Sequence, residues 1–437
     1  MDLFFDASRI VNRLRQPTAT GIDRVDVAWL HFLHKQRRCR LVLRLLDGPA
    51  ALAVDQTDAL LHAVELHWGA HAGESRRRLD ALADWLARPR GASLRIGASG
   101  AEAASPATPF QPSNFHRGIA RLRMLAQTRR GLYVHTSHTG ADRAAYMRRC
   151  RASFAHCLSF VHDTIPIDFP EHSRAGEAER HWARLRNIAR TADRILVNSR
   201  HTRDCLRAMS GRLPAPLPPL HVLPLGVENC FHVGTPALAP GRPYFVMLGT
   251  IEPRKNHALM LDVWAQLVAR FGDAAPRLVL LGRRGWNNEA LFARLDAPGA
   301  LAGHIAECAG LDDRESAAVL AGATALLTPS FAEGYNLPLA EALACGTPAL
   351  ASDLDIHREV AGDCARLLPA DDARAWAEAI AALAGCTAPA GASGSVLANG
   401  CDALATARAA AAAFRPMRWE RHFHLAAREI EQLSAGG

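Results

Sequence analysis

Lysine is almost missing from this chain. Of its 51 basic residues only Lys35 and Lys255 are lysines, so the two ammonium groups stand out against an arginine background. Paired cysteines are also missing. The ten cysteines are scattered singly, with no Cys-x-x-Cys, which argues against a disulfide framework or a structural zinc site and reads as reduced thiols. No run of about 18 uncharged apolar residues occurs, and the opening "MDLFFDASRI" has acids but no cationic start before an apolar run. The expectation is a cytoplasmic protein without a membrane span. No internal repeat is found.

At 437 residues the chain exceeds one ordinary core, and the usual size of about 100 to 200 residues per domain predicts two. Charge divides the same way: residues 1–230 carry +13 and residues 231–437 carry −5. Basic clusters such as "KQRRCR" (35–40), "RRR" (76–78) and "RRCR" (148–151) suit phosphates, nucleic acid or an anionic leaflet, or are simply solvated helix faces.

Short apolar runs alternate with helical patterns, which predicts βα units and parallel sheets. In the first half the strands are placed at 3–7, 41–46, 132–137, 157–163 and 194–199. In the second they are placed at 244–250, 277–282, 325–330, 348–352 and 365–369. The proline-rich stretch before residue 243 marks a connection near 229–243. Residues 69–118 and 386–412, rich in Ala, Gly, Ser and Pro, read as excursions or loops. The helical pattern returns at the end, with Trp419, Phe423 and Ile430 as candidate buried positions.

Open α/β sheets bind ligands beyond the carboxyl ends of their strands, and two segments there carry chemistry. In "LGTIEPRKNH" (248–257) a strand meets Gly249, then Arg254 and Lys255 at a helix start. Backbone N–H groups, a guanidinium and an ammonium together suit a diphosphate. In "FAEGYNLPLAEAL" (331–343) Glu333 falls in a loop after a strand. Asn336 can adopt a left-handed or capping conformation, Pro338 fits a first helical turn, and Glu341 lies in the helix that follows. Helical side chains lean toward the N-terminus, so both acids can converge on one ligand. The plainer alternative is a favourable acid near the positive end of a helix and an unrelated loop residue.

Taken together, Gly249, Arg254-Lys255-Asn256, "LLG" (280–282) and "TPSFAEGYNLPLAEALACGTPALAS" (328–352) resemble the retaining glycosyltransferases of family 4, whose signature is Glu, seven residues, Glu. The resemblance is dense over 244–384. It is thinner in the first half, where "TGIDRV" (20–25) is similar to the family's glycine loop and "FVHDTIPIDFPE" (160–171) to its His-Asp segment. The chain departs from the family at Gly249-Thr250, where many members have Gly-Arg, and at Asn336, where a second Gly is usual.

The resemblance implies a GT-B fold: two Rossmann-like doubly wound parallel-sheet domains facing an interdomain cleft. The boundaries would be 1–230 for an acceptor-binding domain, 241–412 for a nucleotide-sugar-binding domain, and 413–437 for a helix crossing back to the first. His162 and Glu333 would be catalytic. Arg254 and Lys255 would hold the diphosphate and Glu341 the ribose, while Gly334, Tyr335, Asn336 and Leu337 would surround the donor sugar beside Glu333. Gly21 and Gly249 would allow close approach of the backbone. The implied activity is retaining sugar transfer from a nucleotide sugar, GDP-mannose favoured, to a saccharide or lipid-linked acceptor in cell-surface polysaccharide synthesis. No cofactor or metal is implied, since the one Asp-x-Asp run, "SDLDIH" (352–357), reads as a cap for the helix after 355. Nucleic acid is not an expected partner, whereas a peripheral contact of the basic half with the inner membrane face is. Two other readings fit the residues: a GT-B hydrolase or phosphorylase, and a non-catalytic nucleotide or polyanion binder.

Overall fold

The computed structural model describes residues 1–14, 16, 19–37, 39–45, 48–69, 72–88, 91–97, 131–239, 241–386 and 400–435. In chain order the first elements are β1 (Asp2–Asp6), α1 (Ser8–Arg13), α2 (Gly21–Arg37), β2 (Arg40–Leu45), β3 (Gly48–Ala51), α3 (Asp55–Gly69), α4 (Ala72–Ala87) and β4 (Leu94–Ile96). Next come β5 (Gly131–His135), α5 (Ala144–Ser153), β6 (His156–Val161), α6 (Ile165–Asp168), α7 (Glu177–Thr191), β7 (Arg194–Val197), α8 (Arg200–Met209) and β8 (Leu220–Val222). Then follow β9 (Tyr244–Leu248), α9 (His257–Phe271), β10 (Arg277–Leu281), α10 (Glu289–Asp296), β11 (Ile305–Cys308), α11 (Asp313–Gly322) and β12 (Ala325–Thr328). The chain closes with α12 (Leu337–Ala344), β13 (Ala349–Ser352), α13 (Asp355–Ala361), β14 (Arg366–Leu368), α14 (Ala373–Ala384), α15 (Gly400–Ala412) and α16 (Trp419–Ala435).

Two compact units result. The first holds the described residues up to 69, from 131 to 226 and from 417 to 435; its seven-stranded sheet has the order β3-β2-β1-β5-β6-β7-β8. Only β3 runs antiparallel, against β2. The second unit holds 72–88, 91–97 and the described residues from 227 to 416, around a sheet of order β14-β13-β12-β9-β10-β11-β4. Central strands such as β9 ("YFVML") and β10 ("RLVLL") are apolar along almost their whole length because helices cover both faces of a parallel sheet. Phe245 and Leu278 are completely buried, each contributing about 1.5–3 kcal/mol by leaving water.

All ten expected strands form, within two residues at their ends. Residues 72–88 and 91–97 differ from expectation. The expectation is an excursion within 1–230, yet they form α4 and β4 and belong to the second unit. β11 would otherwise end that sheet with an unpaired edge, and β4 pairs with it, Leu94 opposite Ala306 and Ile96 opposite Cys308. Leu79, Leu82, Trp85 and Leu86 of α4 are buried in the second unit's core, and the Arg277 guanidinium lies 4.4 Å over the Trp85 ring. Residues 400–412, also read as loop, are the helix α15, while 98–118 and 387–399 lie outside the described residues.

α16 packs in the first unit. Its Phe423 ring stacks on Phe32 with centroids 4.4 Å apart, and His422 Nδ1 bonds the Pro224 carbonyl at 2.7 Å. Ile430 is buried as expected, whereas Trp419 and Phe423 are half-buried. α13 does start at Asp355, but its N-cap is Leu354 without a side-chain bond; Asp353 instead pairs with Arg358. Among the described residues no helix is long and apolar enough to cross a membrane.

Candidate active site

In the second sheet the chain runs outward from β9 through β10 to β11, then returns to the other side of β9 as β12. The reversal opens a crevice between the carboxyl ends of β9 and β12, the place where doubly wound sheets receive ligands. Both motif segments lead out of this point. Gly249, after β9, has φ +131°, a conformation that L side chains rarely adopt. A Cβ on Gly282, after β10, would lie 2.0 Å from the Gly249 carbonyl oxygen, so these two strand ends touch through bare backbone.

Pro253–Lys255 form a single 3-10 turn that ends at Asn256, which is left-handed with φ 56°. The Asn256 amide donates to the Pro329 carbonyl at 3.1 Å and the Ala370 carbonyl at 2.8 Å, and Phe331 N–H donates to the Arg254 carbonyl at 2.8 Å. The β9 and β12 loops are thereby tied to each other. Lys255 Nζ reaches Glu333 Oε1 at 2.6 Å and Arg254 Nη1 reaches Glu333 Oε2 at 2.6 Å. Ser330 Oγ adds a bond to Oε1 at 2.8 Å, and Arg254 Nε also pairs with Glu252 at 2.6 Å.

The Glu333 side chain is 4% exposed and that of Lys255 10%. Burial alone would raise the Glu333 carboxyl, but the Arg254 guanidinium and then the Lys255 ammonium outweigh it and hold the group well below the ordinary carboxylate range. Sequence reasoning placed Glu333 on the sugar and the cations on the diphosphate. In the structure the three form one ion cluster, because two cations drawn out of water need a counter-charge at hand. Glu252 and Ser330 were missed, although Glu252 lies inside "GTIEPRKN" and Ser330 three residues before Glu333.

Gly334, Tyr335 and Asn336 lead directly from Glu333 into α12, where Leu337 is the first residue and Pro338 the second. Asn336 is both left-handed, at φ 68°, and a cap, its side-chain oxygen accepting from Leu339 N–H at 3.3 Å. Its amide also donates to Thr328 Oγ1 and to His357 Nε2, each at 2.8 Å. His357 therefore carries its proton on Nδ1, which donates to the Ser352 carbonyl at 2.7 Å. Glu341, the fifth residue of α12, is 1% exposed.

Gly21 and His162 belong to the first unit. Gly21 opens α2 at an exposed position. His162 follows β6 and is buried; its Nε2–H donates to the Thr136 carbonyl at 2.7 Å. Burial pushes its pKa down to about 4, so at neutral pH the ring is uncharged and Nδ1 is an acceptor. The first sheet reverses between β1 and β5, and an unforeseen polar group gathers there. Thr136 Oγ1 donates to Asp26 Oδ1 at 2.7 Å, while Arg9 and Arg13 bond Asp23 at 2.7 and 3.0 Å. Asp26 is fully buried, which raises its pKa to about 7. The signal was present in "TGIDRVD", which sets two acids three residues apart on one helical face. Among the described residues no three His, Cys, Asp or Glu side chains are placed to hold a metal ion.

Residues 242–385 match the family model described as Glycosyl transferases group 1. The chain is 28% identical over 265 residues to the serotype-specific mannosyltransferase WbdA of Escherichia coli, covering 56% of this chain and 32% of that protein. It is 34% identical over 165 residues to the phosphatidyl-myo-inositol mannosyltransferase of Mycolicibacterium smegmatis, covering 36% and 41%. The chain thus spans less than half the length of either relative. Anabaena Alr3699/HepE, solved in complex with UDP, superposes with a TM-score of 0.60 at 13% identity, over 99% of this chain and 100% of that one. This likeness establishes the fold, the two-sheet GT-B architecture. The model match over residues 242–385 and the mannosyltransferase relatives point the same way: in its second half this chain is similar to the glycosyl transferases group 1 family.

Proposed function

We propose that this chain is a retaining glycosyltransferase that moves a sugar from a nucleotide-sugar donor to a saccharide or lipid-linked acceptor in cell-surface polysaccharide synthesis. The observation that carries the reading is the Arg254–Lys255–Glu333 cluster at the switch point of the second sheet. It keeps two cations in place before any ligand arrives, so they need little reorganisation when charge develops. GDP-mannose is the favoured donor, supported by relatives named as mannosyltransferases.

In this mechanism the bond between the anomeric carbon and the diphosphate oxygen breaks, and its electron pair stays on the diphosphate. Arg254, Lys255 and the N–H groups opening α12 stabilise that charge, which exists only as the bond parts. The acceptor hydroxyl forms the new bond from the side the diphosphate leaves, and its proton passes to the departing phosphate. The cations stay on Glu333 and share their remaining N–H groups with the diphosphate, and the free lone pairs of Glu333 accept hydrogen bonds from the donor sugar. No metal is assigned a step, because the two cations supply the charge. For His162 the resemblance implies a role at the reacting carbon, and its neutral ring suits a sugar hydroxyl. The basic first half is assigned a peripheral contact with an anionic leaflet, which flotation with anionic vesicles at low salt tests.

A thermal-shift screen of GDP, UDP and ADP sugars, followed by product analysis with and without acceptor, tests the reading. A melting shift with one donor, and its consumption only when acceptor is present, is expected. Consumption without acceptor identifies a hydrolase, and no shift with any donor removes the reading.

A further inference from the structure

The second sheet ends in a strand borrowed from the first third of the chain. β4 is parallel to β11, so the carboxyl ends of β12, β9, β10, β11 and β4 form one continuous rim. The ion cluster stands at β9 and β12, and β11 is two strand spacings from β9, roughly 10 Å. On the β13 side the rim is filled by Thr328, Asn336, Ser352 and His357, all buried and bonded among themselves. A nucleoside attached to a diphosphate at the cluster therefore extends toward β10 and β11.

There the inserted segment grips the loop 309–312. Arg78 Nη1 donates to the Ala309 and Gly310 carbonyls, each at 3.2 Å, and Arg78 is itself paired with Glu74. Asp312 N–H donates to Ser75 Oγ at 2.9 Å, and Ala309 N–H to the Ile96 carbonyl at 3.0 Å. Gly310 is at φ +80°, and a Cβ on it would lie 1.6 Å from Arg78 Nη1, so the guanidinium packs directly on the loop backbone. Ser75 is completely buried. Among the described residues no hydrogen bond is formed by the N–H groups of Gly310 and Leu311.

We propose that the inserted elements α4 and β4 form the far wall of the donor's nucleoside site, with Arg78 and Ser75 as positioning residues that hold the loop 309–312 in the shape that receives the base. This rests on the donor reading above. α4, α11 and α12 lie on one face of the sheet and share a core, so a wall built on α4 is as rigid as the rest of the site.

Calorimetric titration of the full chain with GDP, UDP and ADP, and separately with inorganic pyrophosphate, distinguishes the base from the diphosphate. Arg78→Met and Ser75→Ala are each expected to weaken the nucleotide that the wild type binds by about tenfold, the scale of one lost hydrogen bond. Pyrophosphate affinity stays unchanged, donor KM rises and kcat does not fall. Arg78→Lys recovers part of the loss, and Arg77→Met at the exposed neighbouring position changes nothing. Unaltered nucleotide affinity in both variants, or an equal loss of pyrophosphate, overturns the inference. A wild type that binds none of the three nucleotides overturns the donor reading, and this inference with it.

Discussion

Glu333→Gln keeps the shape of a side chain that the buried Lys255 and the half-buried Arg254 share and removes its charge. Breaking a buried ion pair by deleting one partner costs about 3–5 kcal/mol, mostly because the other charge is left alone in low dielectric. Arg254 retains Glu252 at 2.6 Å and the Ala332 carbonyl at 3.0 Å, so the loss falls on Lys255 and belongs at the lower end, about 3 kcal/mol. For a unit of this size that lowers Tm by roughly 6–12 °C. The pH dependence has a definite sign. The folded carboxyl lies below its ordinary value of 4.5, so its stabilisation is complete above that value and fades as the pH falls through it toward the folded pKa. The gap between wild type and variant is therefore full at pH 7 and narrows on acidification below about 4.5.

Denaturant melts at pH 7 and pH 4, with and without a nucleoside diphosphate, measure this directly. A diphosphate replaces the missing negative charge, so ligand stabilises Glu333→Gln more than wild type, on top of the usual gain of about 2.7 kcal/mol at a hundredfold excess over Kd. Sugar transfer is lost throughout. A variant within about 0.5 kcal/mol of wild type at pH 7, a value typical of surface changes, refutes the buried cluster. Full transfer activity refutes the role of Glu333 at the sugar.

Asp26→Asn preserves the acceptor for Thr136 and removes a carboxyl whose pKa burial raises to about 7. A raised acid costs stability as pH climbs through its folded pKa; at about 1.4 kcal/mol per unit the variant gains up to about 4 kcal/mol at pH 8 and little at pH 4, read from urea melts. His162, held near 4 by burial, stays neutral from pH 6 to 8. The transfer rate then shows no limb from it in that range, and a limb near 6.5 that disappears in His162→Asn would show the imidazole to be exposed. Gly226→Ala puts a Cβ 2.4 Å from Trp419 Cδ2 and 2.7 Å from its Cα. Overpacking of about 1–3 kcal/mol is expected, seen as a lower melting midpoint with unchanged nucleotide binding.

Local chemistry was legible along the chain. Apolar runs with turn residues at their ends announced ten strands, and Asn336 and Pro338 announced a helix start, because each depends on neighbours a few residues away. β11 ("IAEC") and β8 are short and partly polar, and β3 ("GPAA") carries Gly and Pro, so none of them has an apolar run long enough to be seen. At the candidate site the residue types were visible and their partners were not. Nothing within "EPRKN" shows that Glu333, 78 residues later, will neutralise Lys255.

By itself the sequence determined the elements, the motif residues and the family resemblance that they carry, since all of these rest on short-range pattern and residue type. Tertiary structure alone decided the rest. Packing against distant strands turned Arg254, Lys255 and Glu333 into one ion cluster, buried Asp26, and drew α4 and β4 out of the first half into the second unit. The physical reason is the same in each case. Burial sets the worth of a charge and an open strand edge sets the worth of a backbone, and neither exists until chain far away in sequence has arrived.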